Sequence, residues 1–142
     1  ELEARGGLEQ KMYPWGEHLT PRGRHSCNIW QGQFPEENSR EDGYESTCPV
    51  DAFKPNGHDL SNVSGNVWEW CGDWFDPTWH ITAGEDALNN PKGADSGTHK
   101  MQKGGSFLCH HSYCNRYRVA ARTGNTPDSS TSNNGFRCVR DV

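Results

Sequence analysis

The sequence predicts a single α+β domain, loop-rich, with little regular secondary structure and a core built from aromatic rings. Three observations predict it. The chain has 142 residues, enough to bury roughly two-thirds of its unfolded surface as one domain. Only 31% of them are hydrophobic, yet six Trp, five Phe and four Tyr are present, and disordered chains lack such large apolar bodies. Long stretches show neither a helical nor a strand period, so loops must carry much of the packing.

Taken in order, Glu1 to Gly7 reads as the end of a helix, good helix formers running into a Gly-Gly stop. Met12-Tyr13-Pro14-Trp15-Gly16 is turn chemistry with two aromatics free for the core. Cys27 to Tyr44 lacks any period and reads as a loop pinned by Trp30 and Phe34, with Asn28 and Asp42 as turn formers. Asp51 to Gly57 is another turn-rich connection. Leu60 to Trp74 leads into a strand with Val67, Glu69 and Cys71 on one side and Trp68 and Trp70 on the other. A glutamate between two tryptophans needs a partner if buried, a backbone donor or an arginine. Asp76 to Lys100 is polar, punctuated by Pro and Gly, and reads as surface loop. Arg116 to Arg122 alternates as a strand, Thr123 to Asn134 is a polar loop, and Gly135 to Arg140 is a closing strand.

Charge narrows the partners. A net charge of −5, with acids and bases interspersed, offers no basic stripe for nucleic acid. No apolar run approaches the roughly 18 residues that cross a bilayer, so no membrane partner is expected. No signal peptide opens the chain, and Glu1 reads as a start within a longer protein.

The chemistry concentrates between Gly104 and Arg122, where Cys109 and Cys114 stand five apart. On a helix, at about 100° per residue, their side chains diverge by well over a third of a turn, and on a strand they face opposite ways. Only a bend brings the sulfurs together. A convergent pair is a disulfide, a two-thiolate site for a soft metal, or two unrelated thiols. Sulfur separation distinguishes them: about 2.05 Å for the bond, on the order of 4–5 Å across one ion. Without third and fourth ligands, two thiolates suit Cu(I) better than zinc. Cys27, Cys48, Cys71 and Cys138 bring the cysteines to six, which permits fifteen full pairings and selects none. His110 and His111 beside Cys109 suggest a Cys/His nucleophile pair, but side chains adjacent in sequence are expected to splay apart.

The run Gly104-Gly105-Ser106-Phe107-Leu108-Cys109-His110-His111-Ser112-Tyr113-Cys114-Asn115-Arg116-Tyr117-Arg118-Val119-Ala120-Ala121-Arg122, with Asn125 to Ser130 and Asn133 to Cys138, resembles the C-terminal signature of the formylglycine-generating enzymes, or sulfatase-modifying factors. The likeness extends back to Ala4-Arg5-Gly6-Gly7. It implies that residues 1–142 are the C-terminal part of a single catalytic domain of C-type-lectin-like fold, whose missing N-terminal half is a possible second chain.

What the resemblance implies for function is specific. The family oxidises a cysteine in a Cys-X-Pro-X-Arg segment of a sulfatase to Cα-formylglycine with O2, using Cu(I) held by the pair matching Cys109 and Cys114. Ser106 matches a serine beside the reacting sulfur, and Trp68 an aromatic lining the metal site. Tyr113, Ser130 and Asn133 belong to the same substrate pocket. Two structural Ca2+ sites map to Asn28, Ile29, Asp42 and Tyr44, and to Asn62, Val63, Gly65, Val67 and Glu69. As a calcium ligand in a tight turn, Asn62 is a poor acceptor for the glycosylation sequon Asn62-Val63-Ser64. A family disulfide maps to Ala4 and Val119, so both its cysteines are absent together. Another family bridge joins the Cys138 position to a cysteine upstream of Glu1, leaving Cys138 without that partner here. Localisation follows the source: cytoplasmic in bacteria, endoplasmic reticulum or secretory route in eukaryotes. The alternative is a non-catalytic, peptide-binding or structural member of the same superfamily, with the cysteines as a redox staple.

Overall fold

The computed structural model describes residues 1–87 and 89–140. A short helix α2 (Trp79–Thr82) and a 3-10 turn (Gly84–Ala87) interrupt what the sequence presents as loop from Asp76 to Lys100. Leu88, within that stretch, lies outside the described residues. The first helix, α1 (Leu2–Arg5), ends at Gly6 as the Gly-Gly stop predicts.

Two sheets organise the rest. Inside the Cys27–Tyr44 loop a two-stranded hairpin forms from β1 (Gly32–Gln33) and β2 (Glu37–Asn38). The larger sheet uses β3 (Trp68–Trp74), β4 (Lys100–Lys103), β5 (Thr123–Asn125) and β6 (Asn134–Gly135), in the order β5-β4-β3-β6. β4 runs antiparallel to both β3 and β5, whereas β6 joins β3 in parallel. Lys100-Met101-Gln102-Lys103 shows no apolar alternation, and its Met101 and Gln102 are both buried. Tertiary burial, not local pattern, makes that strand.

Three expectations are corrected. Arg116 to Arg122 forms no strand: Tyr117 is only 1% exposed, the Val119 N–H donates to Met12 O, and the Ala121 N–H turns back on Arg118 O. Thr123–Asn125, expected in a loop, is β5; Gly124 lies so close to the Phe75 ring that a Cβ would sit 2.6 Å from it. The closing strand shrinks to Asn134–Gly135, because Arg137 turns to Glu69, its Nη2 donating at 2.8 Å and its Nε at 3.1 Å. Arginine is therefore the partner of the glutamate between the tryptophans.

The core is aromatic, as expected, but it also contains thiols. Tyr13, Cys27, Ile29, Cys109, Cys114 and Tyr117 form one buried cluster, with Trp15, Leu19 and Trp68 packed against it. Tyr13 stacks on Trp15 at 5.3 Å and on Tyr117 at 6.2 Å. Such pairs contribute about 0.5–1.5 kcal/mol beyond their buried area. The cysteine pair is thus part of what holds the domain together.

Candidate thiol site

The bend between the cysteines is a single closed turn. The His110 carbonyl accepts hydrogen bonds from Tyr113 N–H at 3.1 Å and Cys114 N–H at 2.8 Å. That turn brings Cys109 Sγ and Cys114 Sγ to 2.7 Å. All six cysteines are free, so these two are neither bonded to each other nor placed on separate sides of the fold. They lie within reach of one shared hydrogen. The hydrogen bond from Cys109, offset in part by burial and helped by Arg116, lowers the Cys114 thiol to about 7. The same bond, with burial, pushes Cys109 well above the ordinary thiol range. Cys114 is the first thiolate of the pair.

The floor of the site comes from the Gly104-Gly105 corner. Gly105 has φ +72°, and a Cβ there would meet the Tyr117 backbone nitrogen at 3.0 Å; only glycine lets the chain lie that close. The corner aims Ser106, which is 0% exposed, at the thiols. Its N–H donates to Cys109 Sγ at 3.4 Å. Its hydroxyl oxygen accepts from Asn133 Nδ2 at 3.0 Å, and Asn133 O in turn accepts the Trp68 N–H at 2.7 Å. Cys109, Cys114, Ser106, Asn133 and Trp68 therefore converge.

The other two expected pocket residues stand further out. Tyr113, 76% exposed, stacks its ring on Phe34 at 5.1 Å. Ser130 is exposed on the loop between β5 and β6 and takes no part in those contacts. The adjacent histidines do not splay: their ring centroids lie 4.0 Å apart. His110 Nδ1 meets Ser112 Oγ at 2.7 Å rather than a cysteine, so no Cys/His pair forms with it. A cavity of about 740 Å³ lined by Trp15, Arg22, His25, Phe53 and Asn62 lies away from the thiols. Arg116 and Phe34 are the site neighbours the sequence reading left out of the site. A cation two residues past Cys114 was the available signal for the first.

The donors fit the implied metals to different degrees. Among the described residues no three His, Cys, Asp or Glu side chains converge, so two soft sulfurs stand without the further ligands zinc requires, which suits Cu(I). At 2.7 Å they are closer than the roughly 4–5 Å of two thiolates around one ion, so taking up an ion parts them. In the first oxygen-rich loop, Asp42 accepts N–H groups from Ile29 at 3.1 Å and Tyr44 at 3.0 Å, and Gln31 Nε2 donates to both Ile29 O and Asp42. In the second, Asn62 Oδ1 is buried with no partner, while its Nδ2 donates to Pro49 O and Val50 O at 3.1 Å each. An orphaned oxygen in a turn is the donor a hard cation takes. Glu69, of the same candidate set, is already engaged by Arg137.

Among the described residues a four-stranded sheet, two short helices and long loops surround a buried thiol pair, a frame consistent with the formylglycine-generating-enzyme fold. The family model for the sulfatase-modifying factor enzyme 1-like domain matches residues 1–142, and the chain belongs to that family. It is 62% identical over 141 residues to the formylglycine-generating enzyme of Thermomonospora curvata, covering 99% of this chain and 46% of that protein. To the formylglycine-generating enzyme of Streptomyces coelicolor it is 57% identical over 142 residues, covering 100% and 44%. The chain thus spans somewhat under half the length of these relatives. PvdO from Pseudomonas aeruginosa shares the fold at a TM-score of 0.71 and 19% identity, over 94% of this chain and 46% of that one.

Proposed function

We propose that this chain carries the thiol site of a copper-dependent oxidase that converts the cysteine of a Cys-X-Pro-X-Arg segment in a sulfatase to Cα-formylglycine. The observation that carries the reading is the pair itself: two free, buried sulfurs 2.7 Å apart, in a chain 62% identical to a protein named for that activity. Cys109 and Cys114 would hold the copper, which supplies one-electron chemistry with O2 when bound. The rest of the work falls to the chain. Cys114, lowered to about 7 by its neighbour's hydrogen bond, supplies a thiolate near neutrality, the form that binds soft metals. Trp68 packs against the buried cluster that contains the sulfurs and would exclude water from one flank. Ser106 presents a hydroxyl fixed by Asn133, ready to donate to a group arriving at the thiols. Tyr113 and Ser130 offer exposed contacts for an extended peptide, and a further polypeptide segment, matching what the relatives carry beyond the aligned span, completes the groove. Calcium at the two oxygen-rich loops is the structural part of the proposal, supported by the orphaned Asn62 oxygen.

The test is a Cu(I) titration against a competing chelator for wild type, Cys109→Ala and Cys114→Ala. Removing either sulfur should weaken binding by at least about 100-fold, since a single thiolate remains. Equal affinity in all three sinks the proposal. Incubation with a Cys-X-Pro-X-Arg peptide, read by mass change and aldehyde trapping, separates an oxidase from a member that only binds peptide.

A further inference from the structure

The turn that joins the two thiols is supported from outside its own strand of chain. Residues 111–113 project from the core, and Tyr113 at their far end is 76% exposed. What they rest on is the β1–β2 hairpin. Phe34, at the hairpin's bend, lies face to face with the Tyr113 ring at 5.1 Å and 13°, and with the His110 ring at 6.0 Å and 10°. Trp30 packs edge-on against the same Phe34 ring at 5.3 Å. The backbone adds a second tie, because the Trp30 N–H donates to the Cys109 carbonyl at 3.0 Å. The turn is therefore fastened to the hairpin and the segment leading into it, at Cys109 by the Trp30 hydrogen bond and at His110 and Tyr113 by ring stacking on Phe34. The hairpin's base is held in turn by Asp42, which accepts the Ile29 N–H.

We propose that Phe34 is a positioning residue for the thiol pair: its ring braces the 110–113 turn and so sets how Cys109 and Cys114 present their sulfurs to a metal. The idea rests on the reading of that pair as a metal site. Its physical content is that a turn with an exposed outer face has few rotamer constraints of its own, and flat stacking supplies one. Residues that orient metal ligands without touching the metal typically alter affinity by about 10–100-fold when replaced.

The experiment compares Cu(I) affinity, by chelator competition, in wild type, Phe34→Leu, Phe34→Tyr and Cys109→Ala, with a thermal melt of each. Leucine keeps the apolar bulk and loses the flat face; tyrosine keeps the face. Phe34→Leu should bind Cu(I) about 10–100-fold more weakly, and Phe34→Tyr should restore wild-type affinity. If Phe34→Leu does not fold, Tyr113→Leu decides instead: it removes the other half of the stack at an exposed position and should show the same weakening. Wild-type affinity in folded Phe34→Leu, or in Tyr113→Leu where the first is unfolded, overturns the positioning role while tight binding lost in Cys109→Ala keeps the thiol site standing. Weak binding in wild type itself overturns both.

Discussion

The 104–107 segment that leads into the thiol turn and the 62–69 loop lie against each other, yet they are finished differently. Around the thiols the donors and acceptors described above are matched within the chain: Ser106, Asn133, Trp68, Cys109 and Cys114 each find partners. In the neighbouring loop Asn62 Oδ1 is buried and unmatched. Leaving such an atom bare costs about 1–3 kcal/mol. At the margin of the thiol side Asn134 Nδ2 on β6 is also unmatched, but it is a donor, whereas Asn62 leaves an acceptor bare.

The largest expected effect strikes the loop side where it is packed tightest. Gly65 donates its N–H to Gly104 O at 2.8 Å, and at φ +75° a Cβ there would stand 2.4 Å from Asn28 O. Gly65→Ala should destabilise the fold by about 2–5 kcal/mol, from a left-handed residue with a side chain and a contact the backbone cannot relieve. Denaturant unfolding against wild type checks it; a change below about 1 kcal/mol would show that the loop has room to move away from Asn28.

A smaller effect separates the regions. If the 62–69 loop takes calcium, an ion bound to the folded state alone stabilises by about 2.7 kcal/mol at a hundred times its Kd. The melting temperature should rise by several degrees on calcium addition and fall with a chelator. Asn62→Ala should abolish the part of that rise due to the second loop, and Asp42→Ala the part due to the first. A melting temperature indifferent to calcium would make the bare Asn62 oxygen a plain defect.

Legibility followed the source of each constraint. The bend at Cys109 and Cys114 was readable because neither helix nor strand geometry allows a five-residue spacing to converge. The turn at Tyr13 was readable from Pro14 and Gly16, and Glu69's need of a partner from its place among tryptophans, though a backbone donor and an arginine both stayed open. Illegible were β4 and β5, whose residues carry no alternation and are strands only because Met101 and Gln102 are buried and Gly124 fits under Phe75. Arg116 to Arg122 failed for the converse reason: its alternation is real, but Tyr117 is claimed by the Tyr13 stack and leaves no ladder. In the site, Ser106, Trp68 and Asn133 were expected from resemblance and do gather. Phe34 was seen as a pin for its own loop, and its hold on Tyr113 depends on contacts across 79 positions, which no local pattern encodes.

The smallest effect belongs to the thiol side alone and is a dependence on pH. Cys114 ionises at about 7 in the folded chain against an ordinary 9.0, because Cys109 donates to its thiolate and Arg116 stands near. A group whose folded value is depressed adds stability that is fully present above its unfolded value and lost as pH falls through the folded one. Stability from this source should therefore decline from about pH 9 to pH 7 and stay lost below. In the same window, alkylation of Cys114 in metal-free protein should quicken as pH rises through about 7, while Cys109, raised by the same hydrogen bond, stays slow. Mass spectrometry of singly labelled protein distinguishes the two. In Cys109→Ala the donor is gone, so the alkylation midpoint of Cys114 should move up toward the ordinary thiol range; a midpoint unmoved would mean that the sulfurs do not share a hydrogen.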